Sequence, residues 1–308
     1  IGWQIASAII GIILARRLTP AEFGLVGMAM VFIGISGIFT NLGLSSALVQ
    51  RAIPTEEHYS SSFYLNVGAS LLLTLLFILL APTIARFFNN DKLIDLIRVL
   101  SLTLLISGFT VVQEARLRKK MRFDLLTKAR IISSVTGGAV GVSMAFAGFG
   151  VWSLVVQTLL GRLLTTGYYW FVSDWKPKLV FKLKALKDLW SYSFNLFISS
   201  IIDTVYNQLD SLIIAKIFSA RELGLYSKAK ALNRFVVKYS SESIGAVTFP
   251  AMAEVKDNRR RMIELGFNAE KLIAFVSFAL LGWLFVAAGP LILTLYGPRW
   301  EPAVEIFR

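Results

Sequence analysis

Apolar runs of about 20 residues, the length that crosses a bilayer, recur along the chain and are separated by short polar or basic segments. They predict spans at Ile1–Leu18, Glu22–Val49, Tyr59–Phe88, Leu93–Val112, Ile131–Phe146, Val151–Val172, Trp190–Phe218 and Leu272–Tyr296. One stretch breaks the pattern. Between Arg221 and Val255, Lys228, Lys230, Arg234, Lys238 and Glu242 interrupt every apolar run. An internal repeat assigns it nonetheless. At an offset of 200, LTPAEFGLVGMA (Leu18–Ala29) aligns with FSARELGLYSKA (Phe218–Ala229). Ile13/Ile213, Ala15/Ala215, Glu22/Glu222, Gly24/Gly224, Leu25/Leu225 and Ala29/Ala229 are identical. Repeats on this scale build many transporters, and the earlier copy enters an apolar helix. The later copy is therefore predicted to span as well. Without it, the RRR loop at Arg259–Arg261 would fall on the other side of the membrane from the other basic loops.

The fold class that follows is an all-α multi-spanning membrane protein with two repeated helical lobes. A composition break, SDWKPKLVFKLKALKDL, marks the linker. The predicted division is 1–173 (first lobe), 174–188 (basic linker, partly in the membrane interface) and 189–308 (second lobe). The sequence starts inside an apolar run and ends in PAVEIFR, which resembles LIDLIR at the start of the fourth span. Both ends are expected to be cut, leaving the second lobe truncated.

Composition narrows the function. Of 308 residues, 56% are hydrophobic and the net charge is +13. Such a charge also suits nucleic-acid binding. Here, however, most Lys and Arg sit in the loops after spans two, four, six and eight, which is the positive-inside pattern. Nucleic acid is set aside, those loops are assigned to the cytoplasm, and the N-terminus is placed there too. With no cysteine there is no disulfide or thiol chemistry, and no metal site or cofactor is expected. Trp152, Tyr168, Tyr169, Trp170, Trp175 and Trp190 read as an interfacial belt. Gly137-x-x-x-Gly141 reads as helix packing. Pro82, Pro250 and Pro290 read as bends. His58, beside Glu56 and Glu57, reads as a solvated loop residue. Arg162 either lines a cavity or snorkels to the interface.

The charges inside the eighth span carry the chemistry. Each costs roughly 2.5–3.5 kcal/mol at mid-bilayer on insertion scales, so they must face water or partners. Lys230, Arg234, Lys238 and Glu242 recur every fourth residue, one stripe of a helix. The seventh span has a matching stripe at Asn195, Ser199, Asp203, Asn207 and Asp210. Depth pairs Asp203 with Arg234, and Asp210 with Lys228 and Lys230. One reading makes these purely structural ion pairs. Against it, the first copy has Met28, Met30, Gly34 and Ile38 at the corresponding positions, so the fold does without the charges. The preferred reading is a cationic cavity (Lys228, Lys230, Arg234, Lys238 and Asn207) for an anionic group such as pyrophosphate. Asp203, Asp210 and Glu242 then serve as ion-pair or coupling residues for H+ or Na+.

Several segments resemble the Wzx-type polysaccharide and lipid-linked oligosaccharide flippases of the multidrug/oligosaccharidyl-lipid/polysaccharide (MOP) exporter superfamily. They are LARRLTPAEFGLVGMA, NLGLSSALVQR, LRKKMRFD, GFGVWSLV, WKPKL, NQLDSLIIAKIFSARELGLYSKAKAL and VTFPAMAEV. The resemblance implies two six-helix bundles facing each other, MATE-like, with the last three helices missing here. It implies translocation of undecaprenyl-pyrophosphate-linked oligosaccharide across a bacterial inner membrane by alternating access, alongside membrane lipids and other polysaccharide-assembly proteins. Lys230, Arg234 and Lys238 would correspond to the family's cationic cavity. Two rivals are weighed. A MATE-like drug exporter would favour an acidic, aromatic cavity, to which only Asp203 and Asp210 point. A polysaccharide polymerase or glycosyltransferase would show a large outer loop or an Asp-x-Asp, and the sequence has neither.

Overall fold

The computed structural model describes residues 2–233, 248, 252 and 258–308, and no strand occurs among them. The helices are α1 (Gly2–Arg17), α2 (Pro20–Ser36), α3 (Leu44–Gln50), α4 (Glu56–Phe87), α5 (Leu93–Lys119), α6 (Phe123–Phe146), α7 (Val151–Val172) and α8 (Leu183–Ile217). Helix α9 is described over 220–233, followed by α10 (Arg259–Tyr296) and α11 (Ala303–Phe307). Among the described residues, five stretches are long and apolar enough to cross a membrane: Pro20–Gln50, Glu56–Phe87, Leu93–Lys119, Phe123–Phe146 and Arg260–Tyr296. The chain forms two compact units, Ile1–Gly224 and Leu225–Arg308.

In the first unit, glycines set the closest helix approaches. A Cβ on Gly137 would lie 3.2 Å from the Gln157 carbonyl and from the Gly161 nitrogen, and one on Gly141 2.8 Å from the Gln157 Cβ. The packing role expected of Gly137 and Gly141 is therefore met. Helix α8 runs antiparallel along α2 and α3: Gln208 lies against Gly34 and Ser193 against Gly43, while Phe197 stacks edge-on with Phe39 at 5.4 Å. The core beneath joins Leu25, Met28 and Ala29 of α2 to Leu96, Leu100 and Leu104 of α5 and Ala215 of α8.

The two copies of the repeat begin and end their helices in step. Helix α1 ends at Arg17 and α8 at Ile217; α2 starts at Pro20 and α9 at 220. Thr19 caps α2 through a full capping box. Its backbone N–H donates to Glu22 Oε2 at 2.7 Å, and its Oγ1 accepts from the Glu22 N–H at 3.4 Å. Ser219 caps α9 through its hydroxyl alone, accepting from the Glu222 N–H at 3.3 Å. The two helix starts also touch. A Cβ on Gly24 would overlap the Ala220 carbonyl, and a Cβ on Gly224 would overlap the Pro20 carbonyl. The contact is reciprocal under the offset of 200.

Four expectations are corrected. The span predicted as continuous over Glu22–Val49 breaks: a 3-10 turn occupies Gly37–Thr40, and Leu42 (φ 49°) and Gly43 (φ 72°) are left-handed before α3 begins. Gly37 is right-handed (φ −58°) with open space around it, so it is at Gly43 that the break needs a glycine's conformational freedom. His58 is no solvated loop residue. It lies in the first turn of α4, 5% exposed, where Nδ1 accepts from the Thr55 N–H at 3.2 Å. It thus takes the place of the acid in a capping box. Trp175 and Tyr169 are not interfacial anchors, being 4% and 1% exposed; Trp152 and Trp190 remain outward-facing. Finally, the linker's amphipathic tail from Leu183 onward is the start of α8.

The rest of the linker is strapped to α4. Lys178 and Lys182 donate their backbone N–H groups to Ser60 and Ser61, at 3.1 and 2.8 Å. Trp175 Nε1 donates to Glu56 at 2.8 Å, and Arg116 lies over Tyr59 at 4.6 Å. The basic segments after α3, α5 and α7 gather at this one end. Lys119 Nζ donates to the carbonyls of Val49 and Arg51, Lys120 pairs with Asp174 at 3.1 Å, and Arg51 with Asp188 at 3.6 Å.

In the second unit, Asn258 caps α10 by accepting from the Arg261 N–H at 3.1 Å. The helix then runs through Pro290 to a buried cap formed by Trp300 under Tyr296, ring centres 5.7 Å apart. Helix α11 starts at Ala303, 210 residues after the start of α5 at Leu93.

Candidate functional site

Of the predicted cationic stripe, Lys228 and Lys230 are described; Arg234, Lys238, Glu242 and Pro250 lie outside the described residues. Both lysines project from α9 about two and a half to three turns beyond its cap, where a long stem carries the ammonium toward aromatic faces. Lys228 Nζ is 5.5 Å from the centre of the Tyr296 ring, and Lys230 Nζ 5.4 Å from that of Tyr226. Both are half-buried.

On α8, Asp203, Asn207 and Asp210 follow the i, i+4, i+7 spacing of one helix face. Asn207 Nδ2 donates to the Asp203 carboxylate at 3.0 Å and to its carbonyl at 2.8 Å. Asp210 Oδ1 accepts from the Ser211 N–H at 2.7 Å. The face is polar and self-bonded, and Asp203 is exposed. Asp203's expected partner, Arg234, is outside the described residues. The expected pairing of Asp210 with Lys228 or Lys230 draws on both units and is taken up with the proposed function.

A second polar feature was foreseen only through Arg162. The first unit holds a cavity of about 760 Å³ between α1, α2, α5, α6 and α7. Helix α7 lines it with Gln157, Thr158 and Arg162, and α6 with Arg130 and Ser133. Trp3 and Ser7 come from α1, and Glu114 from α5. At one end Glu114 holds Arg118 at 2.6 Å and Arg130 at 3.5 Å, and the Arg130 guanidinium lies 5.9 Å from the Trp3 ring centre. Arg162, left open between cavity and interface, lines the cavity. The sequence did carry a signal: Thr158, Arg162 and Thr165 stand at i, i+4, i+7 on α7, and all three line the cavity.

The helical architecture has counterparts among solved membrane proteins. Over 99% of this chain the architecture matches the lipid II flippase MurJ in an inward closed conformation (TM-score 0.78, 16% identity, 70% of that chain covered). It also matches a multidrug resistance MATE family transporter in an inward-facing conformation (TM-score 0.73, 17% identity, 75% covered). The particular family follows from sequence: the profile of the polysaccharide biosynthesis proteins matches residues 13–305, and the chain belongs to that family. It is 29% identical to the teichuronic acid biosynthesis protein TuaB of Bacillus subtilis, over 87% of this chain and 56% of TuaB. It is 26% identical to the succinoglycan biosynthesis transport protein ExoT of Rhizobium meliloti, over 94% of this chain and 59% of ExoT. It is also 22% identical to the lipopolysaccharide biosynthesis protein WzxC of Escherichia coli, over 96% and 61% respectively. The chain thus spans somewhat over half the length of these relatives.

Proposed function

We propose that the protein is a flippase that moves undecaprenyl-pyrophosphate-linked oligosaccharide from the cytoplasmic to the periplasmic leaflet of a bacterial inner membrane by alternating access. The observation that carries the reading is the register of α9. It starts from the same cap position as α2 and touches α2 through a reciprocal glycine contact. In this reading the repeat register gives Lys228 and Lys230 the positions that Met28 and Met30 hold in the first copy, inside the membrane. Cations kept at that depth call for an anionic partner, and a pyrophosphate supplies one through charge-assisted hydrogen bonds.

In this reading Lys228, Lys230, Arg234, Lys238 and Asn207 handle the pyrophosphate, with Asp203 opposite Arg234 and Asp210 opposite Lys228 and Lys230. Asp203 or Asp210 binds the coupling H+ or Na+. The lobes divide at 1–173 and 189–308, the basic linker and the N-terminus lie on the cytoplasmic side, and the partners are lipid-linked glycan, membrane lipids and other polysaccharide-assembly proteins. No step requires an enzyme's bond chemistry.

The test is translocation of a fluorescent polyprenyl-pyrophosphate oligosaccharide in proteoliposomes by the intact protein and its Lys230→Ala, Arg234→Ala and Lys238→Ala variants. Loss of flipping in folded, correctly inserted variants is expected. Unchanged flipping would make the charges structural. Efflux of organic cations with no glycolipid movement would assign the protein to drug export.

A further inference from the structure

None of the cationic stripe's described residues lines the cavity of the first unit, which asks for a different ligand. Its volume, about 760 Å³, falls in the roughly 300–1,000 Å³ range of small-molecule sites. At about 30 Å³ per water it would take some 25 waters, far more than a bare pyrophosphate displaces. Its lining is largely apolar, Phe23, Val26 and Leu154 with Trp3 as an aromatic wall, and neutral hydrogen-bonding groups, Gln157, Thr158 and Ser133, are set into it. Ser133 is 4% exposed and its hydroxyl has no protein partner among the described residues. A buried hydroxyl on a cavity wall without a partner awaits one.

The charges are unevenly answered. Glu114 is shared by Arg118 and Arg130. Among the described residues, no carboxylate lies within ion-pair distance of Arg162, which sits midway along α7. A guanidinium at that depth is costly unless it meets an anion, and its planar fork matches a carboxylate in two parallel hydrogen bonds. Hydroxyl and amide donors and acceptors, one aromatic wall and one unanswered arginine together describe a site for a polyhydroxylated, singly acidic ligand.

We infer that this cavity seats an acidic sugar of the transported glycan, with Arg162 recognising the carboxylate and Gln157, Thr158 and Ser133 the hydroxyls. The inference rests on the flippase reading above and adds to it where glycan selectivity resides. It gives the two polar interiors separate tasks, pyrophosphate at the stripe and sugar in the cavity.

The experiment is calorimetric titration of the intact protein in lipid nanodiscs with three lipid-free probes. These are a trisaccharide containing glucuronic acid, the same trisaccharide with glucose in its place, and inorganic pyrophosphate. The acidic glycan is expected to bind at least about tenfold more tightly than the neutral one, the worth of one charge-assisted pair. Arg162→Gln abolishes that ratio and leaves the neutral glycan's affinity unchanged; Arg162→Lys keeps part of it. Ser133→Val weakens both glycans. Lys230→Ala leaves the ratio intact. Equal binding of the two glycans overturns the inference, as does a ratio that survives Arg162→Gln. Pyrophosphate binding that disappears in Arg162→Gln also overturns it, by making the cavity a phosphate site. Failure of glycolipid translocation with the Arg162-dependent ratio intact counts against the flippase reading alone.

Discussion

Helices α1–α2 and α8–α9 are two versions of one piece of structure. They end and restart at the same places 200 residues apart, carry the same kind of cap, and meet through Gly24 and Gly224. Their interiors differ. Where α9 has Lys228 and Lys230, α2 has Met28 and Met30, and Met28 is 2% exposed in a close-packed core. Where α8 has Asp203 and Asn207, α1 has Trp3 and Ser7, both lining the first unit's cavity. The shared positions are those the backbone needs: glycines at the close approach, a hydroxyl cap, a small alanine at 29 and 229. The differing positions are those whose side chains the joint does not use. The two copies share the joint and differ beyond it, which separates scaffold from the rest without an alignment.

Importing the second copy's charge into the first is the harshest way to break this comparison. Met28→Lys would bury an ammonium among Leu25, Leu96 and Leu100 with no partner. A loss of about 4 kcal/mol or more is expected, read as failure to recover a monodisperse protein. The reverse change, Lys228→Met, should leave thermal stability within about 1 kcal/mol while reducing glycolipid translocation. If both variants unfold, the lysine is structural and the contrast between the copies fails.

The joint comes next. Gly24→Ala and Gly224→Ala each place a methyl on a carbonyl of the opposing helix, and backbone cannot rotate out of the way. Each should cost about 1–3 kcal/mol in unfolding measured in mixed micelles. Because either variant alone already separates the helices, the double variant should cost clearly less than the sum. Additive losses would mean that the contact is not a single joint.

Much of this organisation was legible in the chain. The repeat placed α9 despite its charges, because cap and glycine positions are set by local backbone demands that survive duplication. The Gly137 and Gly141 packing was readable for the same reason. What escaped was of two kinds. The break between α2 and α3 was invisible because Gly43 looks the same whether a glycine serves packing or a left-handed turn. His58 and Trp175 were misread because their burial depends on the linker folding back onto α4, a contact between residues about 120 apart. The first unit's cavity was legible only in part. Its charges come one per helix, so no single periodicity collects Glu114, Arg130 and Arg162, although the stripe on α7 did mark one wall.

The smallest effect sharpens the comparison most, because it tests how alike the two caps are. At the first, the Glu22 carboxylate accepts twice from Thr19, from its N–H at 2.7 Å and from its Oγ1 hydroxyl at 2.9 Å. At the second, the Ser219 hydroxyl accepts from the Glu222 N–H, while the Glu222 carboxylate lies 3.9 Å from Arg221. One cap is a reciprocal box and the other a single bond beside an exposed ion pair, which is worth little. Thr19→Ala should therefore cost about 1 kcal/mol and Glu22→Ala a comparable amount, since each removes half of the same box. Ser219→Ala should cost about 0.5 kcal/mol, and Glu222→Ala should fall within measurement error. Equal losses at Glu22 and Glu222 would show that the second box closes in the membrane as the first does. The copies would then be identical at the cap, and their difference would be confined to the cavity faces.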